Sequence, residues 1–120
     1  MGSVTQWMES DRPTIIYGAG RQAETVYRFG ISHGKKFLAL MTSGDRNRNG
    51  SLPGEEKLPF LTPDTYKGDR SSVDVILSFG GAAAVYENLK KKGYRNIYCS
   101  ETWMEGNELL RYGLLFSRPF

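Results

Sequence analysis

The stretch Thr14-Ile15-Ile16-Tyr17-Gly18-Ala19-Gly20-Arg21-Gln22-Ala23 decides the fold of this 120-residue chain. Its first four residues are mostly β-branched and predict a strand that ends at a glycine. After Gly20 the pattern changes, because small and apolar residues recur at spacings of three and four and predict a helix. These residues are Ala23, Val26, Tyr27 and Gly30. A strand, a glycine turn and a helix in this order are typical of the start of a βαβ unit.

The rest of the chain continues the alternation of strands and helices. The apolar runs Phe37–Met41, Val73–Ser78 and Asn96–Cys99 predict parallel strands, and the proline-broken Leu58–Leu61 predicts an edge strand. Residues 82–92 predict a second helix with Ala84, Val85 and Leu89 on its inward face, ended by Gly93. The sequence therefore predicts an α/β fold, a small three-layer Rossmann-like domain with a mostly parallel sheet of four to five strands and helices on both faces.

Three segments divide the chain in this interpretation. Residues 1–12 form an N-terminal arm, either a short helix or a loose extension, and residues 13–103 form the Rossmann-like domain. Residues 104–120 form a C-terminal helix or tail whose apolar side chains favour packing on the domain or an interface between two copies of the chain. A length of 120 residues leaves room for one domain with one core.

Composition excludes several classes of function. One cysteine and one histidine rule out a disulfide framework, a zinc cluster of cysteines and histidines, and a histidine triad. The net charge of +3 comes from scattered basic residues, so neither nucleic acid nor membrane is an expected partner. No apolar run is long enough to span a membrane and no signal peptide is visible, so we expect a cytoplasmic protein.

The glycine turn is the candidate binding site. Gly18 permits a tight turn after the strand, Gly20 permits close approach of a phosphate to the backbone, and Ala23 permits close packing of helix on strand. The amides at the helix start, including those of Ala19 and Gln22, form an anion site with the positive end of the helix dipole. Arg21 is expected to add a charge-assisted hydrogen bond to the phosphate.

Two further loops are expected at the same edge of the sheet. Thr42, Ser43 and Asp45 follow the second strand, near the position where such domains hold a ribose. Asp45 lies somewhat beyond the usual spacing and is closely followed by Arg46 and Arg48, which could instead hold a phosphate on the ribose. NAD, NADP and nucleotide-sugars therefore remain open as candidate cofactors. The alternative is that this segment is only a charged surface loop. Ser78 and Gly80 follow the third confident strand and are expected to line the same crevice, unless the glycine only permits the turn.

The chain from Arg12 to Trp103 resembles small Rossmann-like domains of bacterial enzymes that assemble or modify surface polysaccharides. The resemblance rests on Ile15–Gly20, Leu58–Pro63, Asp74–Ser78 and Leu89–Ile97. Such domains accompany glycosyltransferases, methyltransferases and sugar acyltransferases, and the N-terminal domain of the sugar acyltransferases is the most similar. Those acyltransferases carry a serine, a glycine and a histidine around the turn, where this chain has Gly20, Arg21 and Gln22, so the resemblance implies no particular nucleotide-sugar.

The expected function is therefore that of a nucleotide- or nucleotide-sugar-binding module. The residues supply no catalytic pair of carboxylates, no metal ligands and no nucleophile with a base, so a linked or associated catalytic domain is the expected partner. Two alternatives remain open. One is the NAD(P)-binding domain of an oxidoreductase, and the other is a Rossmann-like interaction domain without a ligand.

Overall fold

Five parallel strands form one sheet in a computed structural model that describes residues 2–18, 21–44, 58–78 and 83–99. The described elements in chain order are α1 (Val4–Met8), β1 (Thr14–Tyr17), α2 (Arg21–Ser32), β2 (Phe37–Met41), β3 (Phe60–Leu61), β4 (Asp74–Leu77), α3 (Ala83–Lys91) and β5 (Asn96–Cys99). None of the helices in these ranges has both the length and the apolar character needed to cross a membrane.

The strand order is β3-β2-β1-β4-β5, and every neighbouring pair is parallel. The chain thus moves outward from β1 in one direction and then returns to its other side, as in doubly wound sheets. The predicted parallel sheet of four to five strands in an α/β fold is confirmed. Among the described strands, the proline-broken segment is also an edge strand, since β3 lies at one end of the sheet and pairs with β2.

The central strands are apolar because both of their faces are covered. All residues of β1 and β4 are buried, which explains why their sequences run nearly continuously apolar instead of alternating. The strand β2 departs from this pattern, because its pairing with β1 shifts register between Thr14 and Ile15, whose partners are Phe37 and Ala39. The extra residue at the shift is Leu38, which is exposed.

Helices lie on both faces of the sheet, as predicted. One face carries the first core cluster, in which Val4 and Trp7 of α1 join Ala23, Val26 and Phe29 of α2. The other face carries the second cluster, which includes Leu89 of α3 together with Tyr94 and the buried residues Tyr17, Ala39, Met41, Val75 and Leu77.

The inward face of α3 is narrower than its sequence predicts. Leu89 is buried and Val85 half-buried, but Ala84 is exposed. Ala84 lies in the first turn of the helix, where packing against the sheet does not reach it. The prediction of an inward Ala84 is therefore wrong.

The N-terminal segment is ordered against the sheet. Ser3 and Gln6 form a capping box in which each side chain bonds the backbone amide of the other residue, and this starts α1. Before the helix, the Gly2 amide donates to the Ile97 carbonyl at 2.8 Å and the Gly2 carbonyl accepts from the Cys99 amide at 3.0 Å. Gly2 therefore pairs with β5. Of the two conformations predicted for residues 1–12, the structure shows the short helix.

Candidate functional site

Gly18 directly follows β1 at the carboxyl edge of the sheet, the edge at which β1, β2 and β4 end at Tyr17, Met41 and Leu77. Its φ of 135° lies in a region that residues with a Cβ rarely adopt, so the turn requires glycine. The Gly18 amide donates to the Met41 carbonyl at 2.8 Å, which fixes the start of the turn against β2. Gly18 therefore follows the first strand with a backbone conformation that favours glycine, while the turn that continues through Ala19 and Gly20 lies outside the described residues.

The helix α2 begins at Arg21, three residues after Gly18. Gln22 lies in its first turn and is half-buried. Ala19 and Gly20, together with the side chain of Arg21, lie outside the described residues. The backbone therefore runs from strand to helix with the short spacing that the glycine pattern predicts.

Ser78 lies beside the glycine turn, as predicted. Its amide and its hydroxyl both donate to the Tyr17 carbonyl, at 3.1 and 3.0 Å, and the side chain is buried. These two bonds join the ends of β1 and β4, the pair of strands at which the sheet order reverses. Because its hydrogen is already donated, the Ser78 hydroxyl is left to act toward a ligand only as an acceptor.

Thr42 and Ser43 follow β2 at the same edge. The Thr42 amide donates to the Leu61 carbonyl at 2.9 Å, and its hydroxyl donates to the Gly44 carbonyl. Ser43 hydrogen-bonds the Tyr17 side chain; burial raises the pKa of that tyrosine, and the bond to Ser43 partly offsets the rise. The structure thus brings Gly18, Thr42, Ser43 and Ser78 to one edge, whereas Asp45 and Gly80 lie outside the described residues.

An acidic residue near this edge was not anticipated from the sequence. Glu24 lies in the first turn of α2, where a carboxylate complements the positive end of the helix dipole. It also bonds Arg28 one turn later, with Oε2 and Nε 3.0 Å apart. The sequence does show this residue, as an acid at the fourth position of the predicted helix. The negative charge of Glu24 disfavours the binding of an anion at the start of α2.

A charged cluster at the amino edge of the sheet, where Thr14, Phe37 and Asp74 begin their strands, was also missed. Asp74 is fully buried, and its Oδ1 accepts from Arg12 Nε at 2.8 Å, while Arg12 Nη2 donates to the Tyr98 hydroxyl at 3.1 Å. Within the part of the chain that the structure describes, the buried Oδ2 of Asp74 has no hydrogen-bond partner. The available signal was a carboxylate inside the apolar run of a central strand, where a charge is costly unless it is paired.

Within the described ranges, no three histidine, cysteine, aspartate or glutamate side chains come close enough together to hold a metal ion. The chemistry of the carboxyl edge is instead that of backbone amides and hydroxyls. Such groups can bind and orient a phosphate or a sugar. Comparison with known proteins adds no relative, since no family model, curated protein or solved structure matches this sequence.

Proposed function

We propose that the domain binds the phosphate part of a nucleotide or nucleotide-sugar at the carboxyl edge of its sheet, between β1 and β4. The observation that carries this proposal is Gly18, whose backbone has a positive φ directly after β1 and three residues before α2 begins. A turn of this kind presents the unpaired first amides of a helix to an anion. The residues assigned to the site are Gly18, Ala19, Gly20, Arg21 and Gln22, with Thr42, Ser43, Asp45, Ser78 and Gly80 on the neighbouring loops.

The position of the turn within the sheet supports the same conclusion. The order β3-β2-β1-β4-β5 reverses at β1, so the loops that follow β1 and β4 diverge to opposite faces of the sheet. Doubly wound domains bind their ligands in the crevice that this divergence leaves. Ser78 directly follows β4 and donates its hydroxyl to the Tyr17 carbonyl, so the ends of β4 and β1 lie side by side.

The module is proposed to work with a catalytic domain of a sugar-modifying or polysaccharide-biosynthesis enzyme. The polar groups described next to Gly18 at the carboxyl edge are mainly backbone amides and hydroxyls, which can hold a phosphate or a sugar in place. An NAD(P)-binding domain of an oxidoreductase would use the same turn. The two differ in ligand, because an oxidoreductase domain requires a nicotinamide dinucleotide and the sugar-modifying module a nucleotide-sugar.

A second candidate function, an interaction domain without a ligand, is favoured by a different observation. The hydroxyls of Thr42 and Ser78 already donate to carbonyls of the protein itself. Glu24 places a carboxylate in the first turn of α2. These two hydroxyls are satisfied within the protein and the carboxylate would repel an anion, as expected of a domain that has no ligand.

The two functions are distinguished by titrating the protein with NAD, NADP, a UDP-sugar, coenzyme A and S-adenosylmethionine in turn. Binding is followed by thermal shift and by amide NMR shifts. A ligand present at about 100 times its dissociation constant stabilises the fold by about 2.7 kcal/mol. The test variant is Gly20→Glu, which puts a side chain and a negative charge where the phosphate would lie. Asn88→Glu, on the exposed side of α3, adds the same side chain away from the turn.

The expected result is stabilisation by one ligand class, with shifts centred on Gly18, Gln22 and Ser78. This response should be lost in Gly20→Glu and kept in Asn88→Glu. The proposal fails if the folded protein responds to none of the five ligands, and the interaction-domain function then takes its place. It also fails if a ligand binds equally well to the parent and to Gly20→Glu.

A further inference from the structure

A second concave surface lies at the amino edge of the sheet, opposite the glycine turn. It is a pocket of about 230 Å³ between the loop that follows α1 and the loop that follows α2. Its charged lining residues are Asp11 and Arg12 from the first loop and Lys35 and Lys36 from the second, and His33 also lines it. The strand β1 separates this pocket from the glycine turn by about 13 Å, the length of four extended residues.

Arg12 is held in position before any ligand arrives. Its Nε donates to the buried Asp74 at 2.8 Å, and its Nη2 donates to the Tyr98 hydroxyl at 3.1 Å. The side chain nevertheless remains 41% exposed, so part of the guanidinium is still accessible to solvent. An arginine fixed in this way loses little conformational freedom when it binds a further group.

Lys35 contributes positive charge from beneath the pocket. It is 8% exposed, and its ammonium donates to two carbonyl oxygens, that of Trp7 and that of Ser10 at 2.7 Å. Carbonyl oxygens satisfy the donors of the ammonium without cancelling its charge. Burial lowers the pKa of Lys35, while Asp74 and Asp11 act in the opposite direction.

Lys36 completes the basic surface from the exposed side of the pocket. Its own carbonyl accepts the Thr14 amide at 2.9 Å, so the backbone that carries this lysine is tied to the start of β1. Three cationic side chains, Arg12, Lys35 and Lys36, line the pocket beside one lining carboxylate, that of the exposed Asp11. The buried Asp74, which pairs with Arg12, is not a lining residue. The net charge of the pocket lining is therefore positive.

We infer that this amino-edge pocket binds a small dianion of the phosphate class, recognised by the fixed guanidinium of Arg12 and the exposed ammonium of Lys36. Planar guanidinium groups bind phosphate through paired hydrogen bonds, and lysine adds a point charge. Asp11 opposes the anion from the same wall of the pocket. The site is separate from the proposed nucleotide site, and neither proposal depends on the other.

The test is an amide NMR titration of the folded chain with inorganic phosphate, repeated with sodium chloride at matched ionic strength. Lys36→Gln should weaken phosphate binding by roughly three- to tenfold, because one exposed charge near the anion is lost. Asp11→Asn should strengthen it by a similar factor. Lys67→Gln, which removes an exposed lysine outside the pocket lining, is the matched control and should leave binding unchanged.

Support for the inference requires phosphate-specific shifts in residues 10–12 and 33–36, with opposite changes in affinity for the two variants. Equal shifts in phosphate and in chloride would reduce the effect to screening and overturn it. Shifts confined to Gly18 and Gln22 would overturn it as well, since the anion would then occupy the glycine turn. The Gly20→Glu variant separates the two sites, because it should leave the shifts at the amino edge intact.

Discussion

Replacing Trp7 with alanine tests whether the N-terminal helix is part of the core. Trp7 lies in α1 and is fully buried, and its indole Nε1 donates to the Thr14 hydroxyl at 2.9 Å. Its ring lies 6.4 Å from that of Phe29 and 6.3 Å from that of Phe37, centroid to centroid. The ammonium of Lys35 lies 5.1 Å from the centroid of the indole. One side chain thus links α1 to β1, α2 and the start of β2.

The expected loss is large compared with the stability of a small domain. Truncation of a buried tryptophan to alanine costs about 3–5 kcal/mol. The Thr14 hydroxyl, itself fully buried, loses its donor, which adds about 1 kcal/mol. Since contributions of neighbouring contacts do not add fully, we expect a total loss of about 5 kcal/mol in the free energy of unfolding, against about 5–15 kcal/mol for a whole domain.

Urea unfolding followed by far-UV circular dichroism measures this loss. Fluorescence is less suitable, because Trp103 also contributes to the emission. Trp7→Phe keeps an aromatic ring but removes the hydrogen bond, and it should cost about 1–2 kcal/mol. Glu9→Ala, an exposed position just after α1, should change stability by less than about 0.5 kcal/mol.

The reasoning is refuted if Trp7→Ala loses less than about 1 kcal/mol, because even partial burial of an indole contributes more than that. It is also refuted if Trp7→Ala and Glu9→Ala have equal effects. In either case α1 would not be packed on the sheet in solution, and the core would have to be complete without it.

Three other perturbations test separate parts of the structure. Arg12→Ala should lower the unfolding free energy by roughly 3 kcal/mol in urea melts, because it leaves the buried Asp74 without the cation that pairs with it. An effect below about 1 kcal/mol would argue against the burial of Asp74. Gly30→Ala should destabilise by about 1–3 kcal/mol despite better helix propensity, because its Cβ would lie 2.8 Å from Cε2 of Phe37; a higher melting temperature would contradict this contact. Burial raises the pKa of Tyr94 above 10.0, so the folded state keeps a proton that the unfolded chain releases, and stability should fall as pH rises past about 10. Tyr94→Phe should reduce this loss of stability at alkaline pH. It should also cost about 1 kcal/mol in unfolding free energy, because the hydrogen bond to the Pro63 carbonyl is lost. An unchanged dependence of stability on pH would count against the buried hydroxyl.

Local residue chemistry determined the strands, the helix α2 and the glycine that follows β1. The run Thr14–Tyr17 is β-branched and apolar because both faces of β1 are covered, and Gly18 is glycine because the backbone needs φ of 135° there. The parallel pairing followed from the alternation of strands with helices, since only a crossover joins parallel neighbours. These features depend on residues close together in the chain, so a sequence pattern can contain them.

Tertiary structure alone decided which polar groups meet. Arg12 and Asp74 are 62 positions apart, and Lys35 reaches carbonyls of the N-terminal segment from the far end of α2. No local period encodes such contacts, because they depend on how separate elements pack. The same is true of Ser78. Its position near Gly18 was predictable from the order of the strands, but the hydrogen bond from its hydroxyl to the Tyr17 carbonyl was not. That bond depends on the register between β1 and β4, and it joins residues 61 positions apart.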